Sequence, residues 1–228
     1  MSETPDTSSM QAKSGPSPVA QDWSGAMAMP ARLVHPERLI ACYDDAISLD
    51  VAVQLQSSDR VQRQLAILLM DHFGLPNLPD PADLDQADLS LVAAPAEQIS
   101  ALVPLAGAVF WAHVLASEIR ASEVAEIKRR IGDGAFQTAL ANRDLSSNLP
   151  GPDNLDTLQA AVDGDGYRCL TSWHHALPSG AGAWARLKHA NDKFFVPFPE
   201  PRERVLGASI MRRLALSLTL QPAPGEAQ

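Results

Sequence analysis

At 228 residues, with 46% hydrophobic and 20% charged side chains, the chain is long enough for one sizeable domain to bury its own core without a disulfide framework. A formal net charge of -9 argues against a general nucleic-acid binder, which needs a surplus of Lys and Arg on one face, and against adsorption to anionic lipid. Cys42 and Cys169 lie far apart, match no metal spacing and read as two buried thiols in a reducing compartment, with a single bridge as the alternative.

Residues 1–28 are rich in Ser, Thr, Pro and Gln and lack the branched apolar residues that repay ordering, so they read as a disordered tail. They also lack a basic segment followed by an apolar one, so the expected start is cytosolic rather than a secretory signal. Pro36 is expected at the first position of a helix after His35, with Leu39, Cys42, Tyr43, Ala46 and Ile47 as its buried stripe. A second helix follows, capped by Ser57 or Ser58, buried along Val61, Leu65, Leu68, Leu69 and His72, and ended by Gly74 and Pro76. The next stretch, NLPDPADLDQADLSLVAAPAEQ, reads as an acidic, solvated loop with one short helical turn.

Ile99 to Ala116 then carries no formal charge. The run is just short of the ~20 residues that span a bilayer and contains Pro104, Gly107 and His113, so a core helix from near Pro104 is favoured over a membrane span. Charges return at Glu118 to Arg130, either on the same helix or on a second one after a break near Ala121-Ser122. Val124, Ile127 and Ile131 keep a narrow apolar stripe beneath them, Gly132 is the expected C-cap, and Asp133 is expected to cap a short following helix. DLSSNLPGPD, residues 144–153, is a candidate subdomain break.

Beyond it, Leu155, Leu158, Ala161 and Val162 suggest one helix, and Tyr167, Leu170, Trp173 and Leu177 another, stopped by Pro178. Trp184, Leu187 and Phe194 suggest a third, and Arg202 to Leu216 a last, half-exposed one. No repeat and no strand alternation recurs. The expected fold class is therefore all-α, a compact multi-helix domain over 29–218 between disordered tails at 1–28 and 219–228.

No motif carries chemistry. Cys169, His174, His175 and His189 lack the helical spacing of metal ligands, and DGDGYR has the first letters of a calcium loop without its remaining oxygens, so it reads as a turn. IGDGAF and PSGAGAW follow no apolar strand, so they read as turns or caps rather than phosphate loops. Ser172 near His174 lacks the strand-turn-helix setting of a nucleophile elbow. The expectation is a non-enzymatic binding module with no catalytic residue, cofactor or metal.

Three stretches, PARLVHPERL (30–39), LAGAVFWAHVLASEIRASEVAEIKRRIGDGAFQTAL (105–140) and SWHHALPSGAGAWARLKHA (172–190), fall in order across most of the chain. In this arrangement the chain resembles the SctK/YscK-type proteins of bacterial type III secretion systems. The resemblance rests on His35-Pro36 opening the first helix and on the small-residue helix that leads through charges to Ile131-Gly132. It implies a helical cytoplasmic adaptor of the sorting platform, peripheral to the inner membrane. Its partners would be the cytoplasmic domain of the SctD-type inner-membrane ring protein and the SctQ-type pod protein. The long polar start and the acidic Pro-rich stretch depart from the family pattern. The expected contact surfaces are the charged face with Arg120, Glu123, Lys128 and Arg129 and the corner from His35 to Arg38. A secreted substrate of the same pathway is the alternative, because a Ser/Thr/Pro-rich start resembles such export signals; a third is an enzyme with an unrecognised site.

Overall fold

The computed structural model describes residues 28–77, 80–193 and 195–218, and every regular element among them is helical. The expected tails, apart from Ala28, and Phe194 lie outside the described residues. The α-helices are α1 (Pro36–Ala41), α2 (Leu49–Ser57), α3 (Gln62–Phe73), α4 (Gln86–Ala93), α5 (Ala96–Phe110), α6 (Ala112–Ser117), α7 (Ala121–Ile131), α8 (Asp133–Ala141), α9 (Leu155–Ala176), α10 (Ser179–Arg186) and α11 (Pro201–Leu218).

Two apolar clusters organise them. The smaller unites Ala31, Val34, Leu39, Ala52, Leu65 and Leu69 from the N-terminal segments with Trp184 and Leu187 at the end of α10. Its backbone is held by buried glutamines: Gln56 Nε2 donates to the carbonyls of Ala31 (2.8 Å) and Val34 (2.7 Å), and Gln62 Nε2 donates to that of Gln56 (2.7 Å). Pro36 does open α1, but that helix ends at Ala41, and Asp44 and Asp45 turn the chain at φ 49° and 60°. Of the expected stripe, Leu39 is buried, Cys42, Tyr43 and Ile47 pack partly buried against the same cluster, and Ala46 is exposed; Ser48 caps a separate α2. In α3 the expected face is buried at Leu65 and Leu69, whereas His72 is exposed; Gly74 closes the helix at φ 60°.

The larger cluster fills the body between α4, α5, α8, α9 and α11. The acidic stretch read as a solvated loop contributes α4, with Ala87, Asp88, Leu89, Leu91 and Val92 all buried. Asp85 is its N-cap, accepting the Asp88 N–H at 2.8 Å. Asp88 itself is buried because its carboxylate accepts from Trp173 Nε1 (2.8 Å) and from Arg212 Nε (2.9 Å) and Nη2 (3.0 Å). A buried carboxylate is tolerable when donors surround it, and no local pattern reveals donors that lie 85 and 124 residues away.

α5 starts at Ala96, eight residues before the expected point, and carries Pro104 inside. Pro104 and Ser100, whose carbonyl would have received the missing N–H, both lie on the exposed side, so the lost hydrogen bond faces water. Ile99, Leu102, Val103, Ala106, Val109 and Phe110 are buried, and no described helix is long and apolar enough to cross a membrane.

DGDGYR, expected to be a turn, lies inside the 22-residue α9, which replaces the two helices expected there. Gly166 explains the continuity: a Cβ there would stand 2.2 Å from the carbonyl oxygen of Val103, so glycine permits α5 and α9 to cross in backbone contact. A second indole-carboxylate bond, Trp111 Nε1 to Asp165 at 2.8 Å, fixes the same crossing. PSGAGAW is likewise helical, forming α10. The 144–153 stretch bridges α8 and α9, and the Ser147 N–H donates to the carbonyl of Phe110 at 2.9 Å.

Candidate functional site

The uncharged run ends in α6, and the charged run opens α7; Glu118, Ile119 and Arg120 link them. Glu118 and Arg120 have extended backbones, so their side chains leave on one side and that of Ile119 on the other. Arg120 closes the corner: its backbone N–H and Nε each donate to Glu118 Oε1 at 2.9 Å, and Nη2 donates to Oε2 at 2.8 Å. This clamp holds the Glu118 carboxyl down at about 2. Ile119, turned away from it, is 90% exposed, the most exposed of the large apolar residues described.

Below this corner lies a groove of about 320 Å³ between α6, α7 and the start of α9. Val114, Ile127 and Leu158 form its floor; Glu118, Arg120, Glu123 and Asp153 stand around it. α9 begins here with a capping box in which the Asn154 side chain accepts the N–H of Thr157 and the Thr157 hydroxyl accepts that of Asn154.

Of the expected contact residues, the fold brings Arg120 and Glu123 together on this groove and separates Lys128 and Arg129 from it. At about 100° per residue, Lys128 and Arg129 lie roughly 100° and 200° around α7 from the floor residue Ile127. Lys128 instead pairs with Asp133 at 2.8 Å, 5.2 Å from the Phe136 ring centroid. Asp133 is thus a salt-bridge partner in the first turn of α8; Gly132 holds the N-cap position. Arg129 Nε donates to Glu126 at 2.7 Å and Arg130 bonds both Glu126 and Asp156, so that Arg129 and Arg130 together hold the Glu126 carboxyl at about 2. The single charged face read from the sequence is therefore two faces, because consecutive charges fan around the helix.

The corner from His35 to Arg38 is also corrected. His35 is half-buried; its Nδ1 accepts the Glu37 N–H at 3.3 Å and its own N–H donates to the carbonyl of Leu187 at 2.8 Å. Arg38 is buried, not a surface contact: Nε donates to the carbonyl of His189 (2.8 Å) and Nη2 to Asp192 (2.6 Å). It fastens the N-terminal cluster to the segment after α10.

That seam holds residues whose role the sequence did not disclose. Lys188 is buried and its Nζ donates to the carbonyls of Val92 and Ala94 at the end of α4, both at 2.5 Å; burial pushes its amine down to about 7. His174 and His189 meet at 5.8 Å between ring centroids, and both pack on Phe195. Burial pushes His189 down to about 4, with Lys188 and Arg38 adding repulsion, and pushes His174 well below its usual value. His175 is exposed, and Ser172 donates to the Arg168 carbonyl at 2.7 Å rather than meeting a base. Among the described residues no group of three His, Cys, Asp or Glu is placed to hold a metal ion. Both cysteines are free thiols, and burial raises both.

No protein-family model, curated protein or solved structure matches the chain.

Proposed function

We propose that the protein is a non-enzymatic adaptor of a bacterial type III secretion sorting platform, joining the cytoplasmic domain of an SctD-type ring protein to an SctQ-type pod protein. One observation carries the binding-module reading: Ile119, 90% exposed, is held by the Glu118-Arg120 clamp on a corner whose other side borders an apolar-floored groove. An exposed apolar residue fixed by its neighbours loses little freedom when a partner covers it, which suits an anchor at an interface. The assignment to this pathway rests on the resemblance of 30–39, 105–140 and 172–190 to the SctK/YscK type.

The test is co-purification of the full chain with the two named partners. Capture of both, reduced on the order of tenfold by Ile119→Asp with the helical circular-dichroism signal kept, is the expected result. Capture of neither overturns the reading. Export of a reporter fused behind residues 1–28 would favour a secreted substrate instead.

A further inference from the structure

We infer that the groove between α6, α7 and the start of α9 receives a basic segment of a partner protein, an apolar side chain flanked by Lys or Arg. The inference deepens the adaptor reading and rests on it only for the partner's identity. The floor of Val114, Ile127 and Leu158 asks for an apolar side chain, and about 320 Å³ gives room for one or two rather than for a whole helix. The rim decides the charge. Arg120 is the one cation among the residues that line the groove, and both its Nε and Nη2 are already committed to Glu118. Among the described residues Glu123 and Asp153 form no hydrogen bond or ion pair, and Glu123 contributes only a through-space attraction to Arg120. Two uncommitted carboxylates therefore set the potential at the mouth of the groove, on a chain whose net charge is -9. An acidic partner segment would meet like charge there, whereas Lys or Arg beside the anchor would pair with Glu123 and Asp153.

Such pairs lie at a wet rim, so they steer and select more than they bind, and their effect declines with salt. The experiment replaces Ser117, an exposed residue of the groove lining, in the full chain by the photo-reactive p-benzoylphenylalanine, cross-links in the native host, and maps the joined partner segment by mass spectrometry. A segment carrying Lys or Arg within a few residues of Leu, Ile or Phe is expected. Its yield should fall on the order of tenfold in Glu123→Lys/Asp153→Lys and decline with added NaCl in purified material. The neutral pair Glu123→Gln/Asp153→Asn should show a smaller fall in the same direction, and it keeps the test valid if the doubly reversed chain does not fold. A basic segment from a protein other than the SctD-type or SctQ-type partner would leave the groove chemistry standing and remove the adaptor reading. An acidic segment, a yield indifferent to these carboxylates, or no cross-link overturns the inference.

Discussion

Gly107 and Val162 meet backbone to backbone: a Cβ added to Gly107 would stand 1.8 Å from the Val162 carbonyl oxygen. With Gly166 in the same relation to Val103, the pairs run in opposite order along the two helices, so α5 and α9 cross antiparallel. Alanine normally improves a helix by about 1 kcal/mol over glycine, but here it must push two backbones apart, and overpacking costs more. Gly107→Ala and Gly166→Ala are each expected to lower stability by about 3 kcal/mol in urea unfolding. Gly164→Ala, which has nothing within 4 Å of its added carbon, should raise stability slightly. Equal effects at all three positions would contradict the crossing.

Asp88 joins α4, α9 and α11 through one carboxylate. Asp88→Ala strands the Trp173 indole N–H and the Arg212 guanidinium, and losing one partner of a buried charged network costs about 3–5 kcal/mol. Asp85→Ala removes the α4 cap and a longer 3.5 Å contact with Arg212, for about 1 kcal/mol. Chemical denaturation of the two variants should separate them clearly.

The histidine seam predicts a direction of pH dependence. His189 titrates at about 4 in the fold against 6.5 when free, so between these values the unfolded chain binds the extra proton. Stability should therefore fall as pH drops from 6.5 towards 4, by up to about 1.4 kcal/mol per pH unit for this group. His174 acts in the same sense. Around His189, Lys188, Arg38 and His35 oppose a new positive charge and Asp192 alone favours it. His189→Asn should flatten the slope of unfolding free energy against pH in that window; an unchanged slope would assign the acid sensitivity elsewhere.

Lys128 serves as the internal control for the groove. Its ion pair with Asp133 is on another side of α7, so Lys128→Glu should leave partner capture unchanged and cost under about 1 kcal/mol of stability. A loss of capture as large as that from Ile119→Asp would move the contact surface around the helix.

Much of the helical content is legible locally. The 3.6-residue spacing of Leu65 and Leu69 marks α3, the His35-Pro36 step starts α1, and Gly74 and Pro178 mark where α3 and α9 finish. The misreadings share one cause. Asp88, Asp165, Arg38 and Lys188 look like solvent-facing charges in sequence, yet each is buried against a partner more than 50 residues away, Asp165 also against its neighbour Arg168. Gly166 looks like part of a turn for the same reason, because only the approach of α5 shows why glycine stands there in a helix.

The candidate site was half visible. Arg120 and Glu123 announce themselves as charges after an apolar run; Ile119 and Asp153 do not, since exposure and convergence are properties of the corner and of a chain segment that returns about thirty residues later. Periodicity and capping chemistry act over a few residues, and so the sequence alone determined that this chain is helical, where several helices begin and end, and that one apolar run belongs inside. Which charges are buried, which glycines touch, and which residues share the groove are set by contacts between distant segments, whose free energy appears only once the helices have packed.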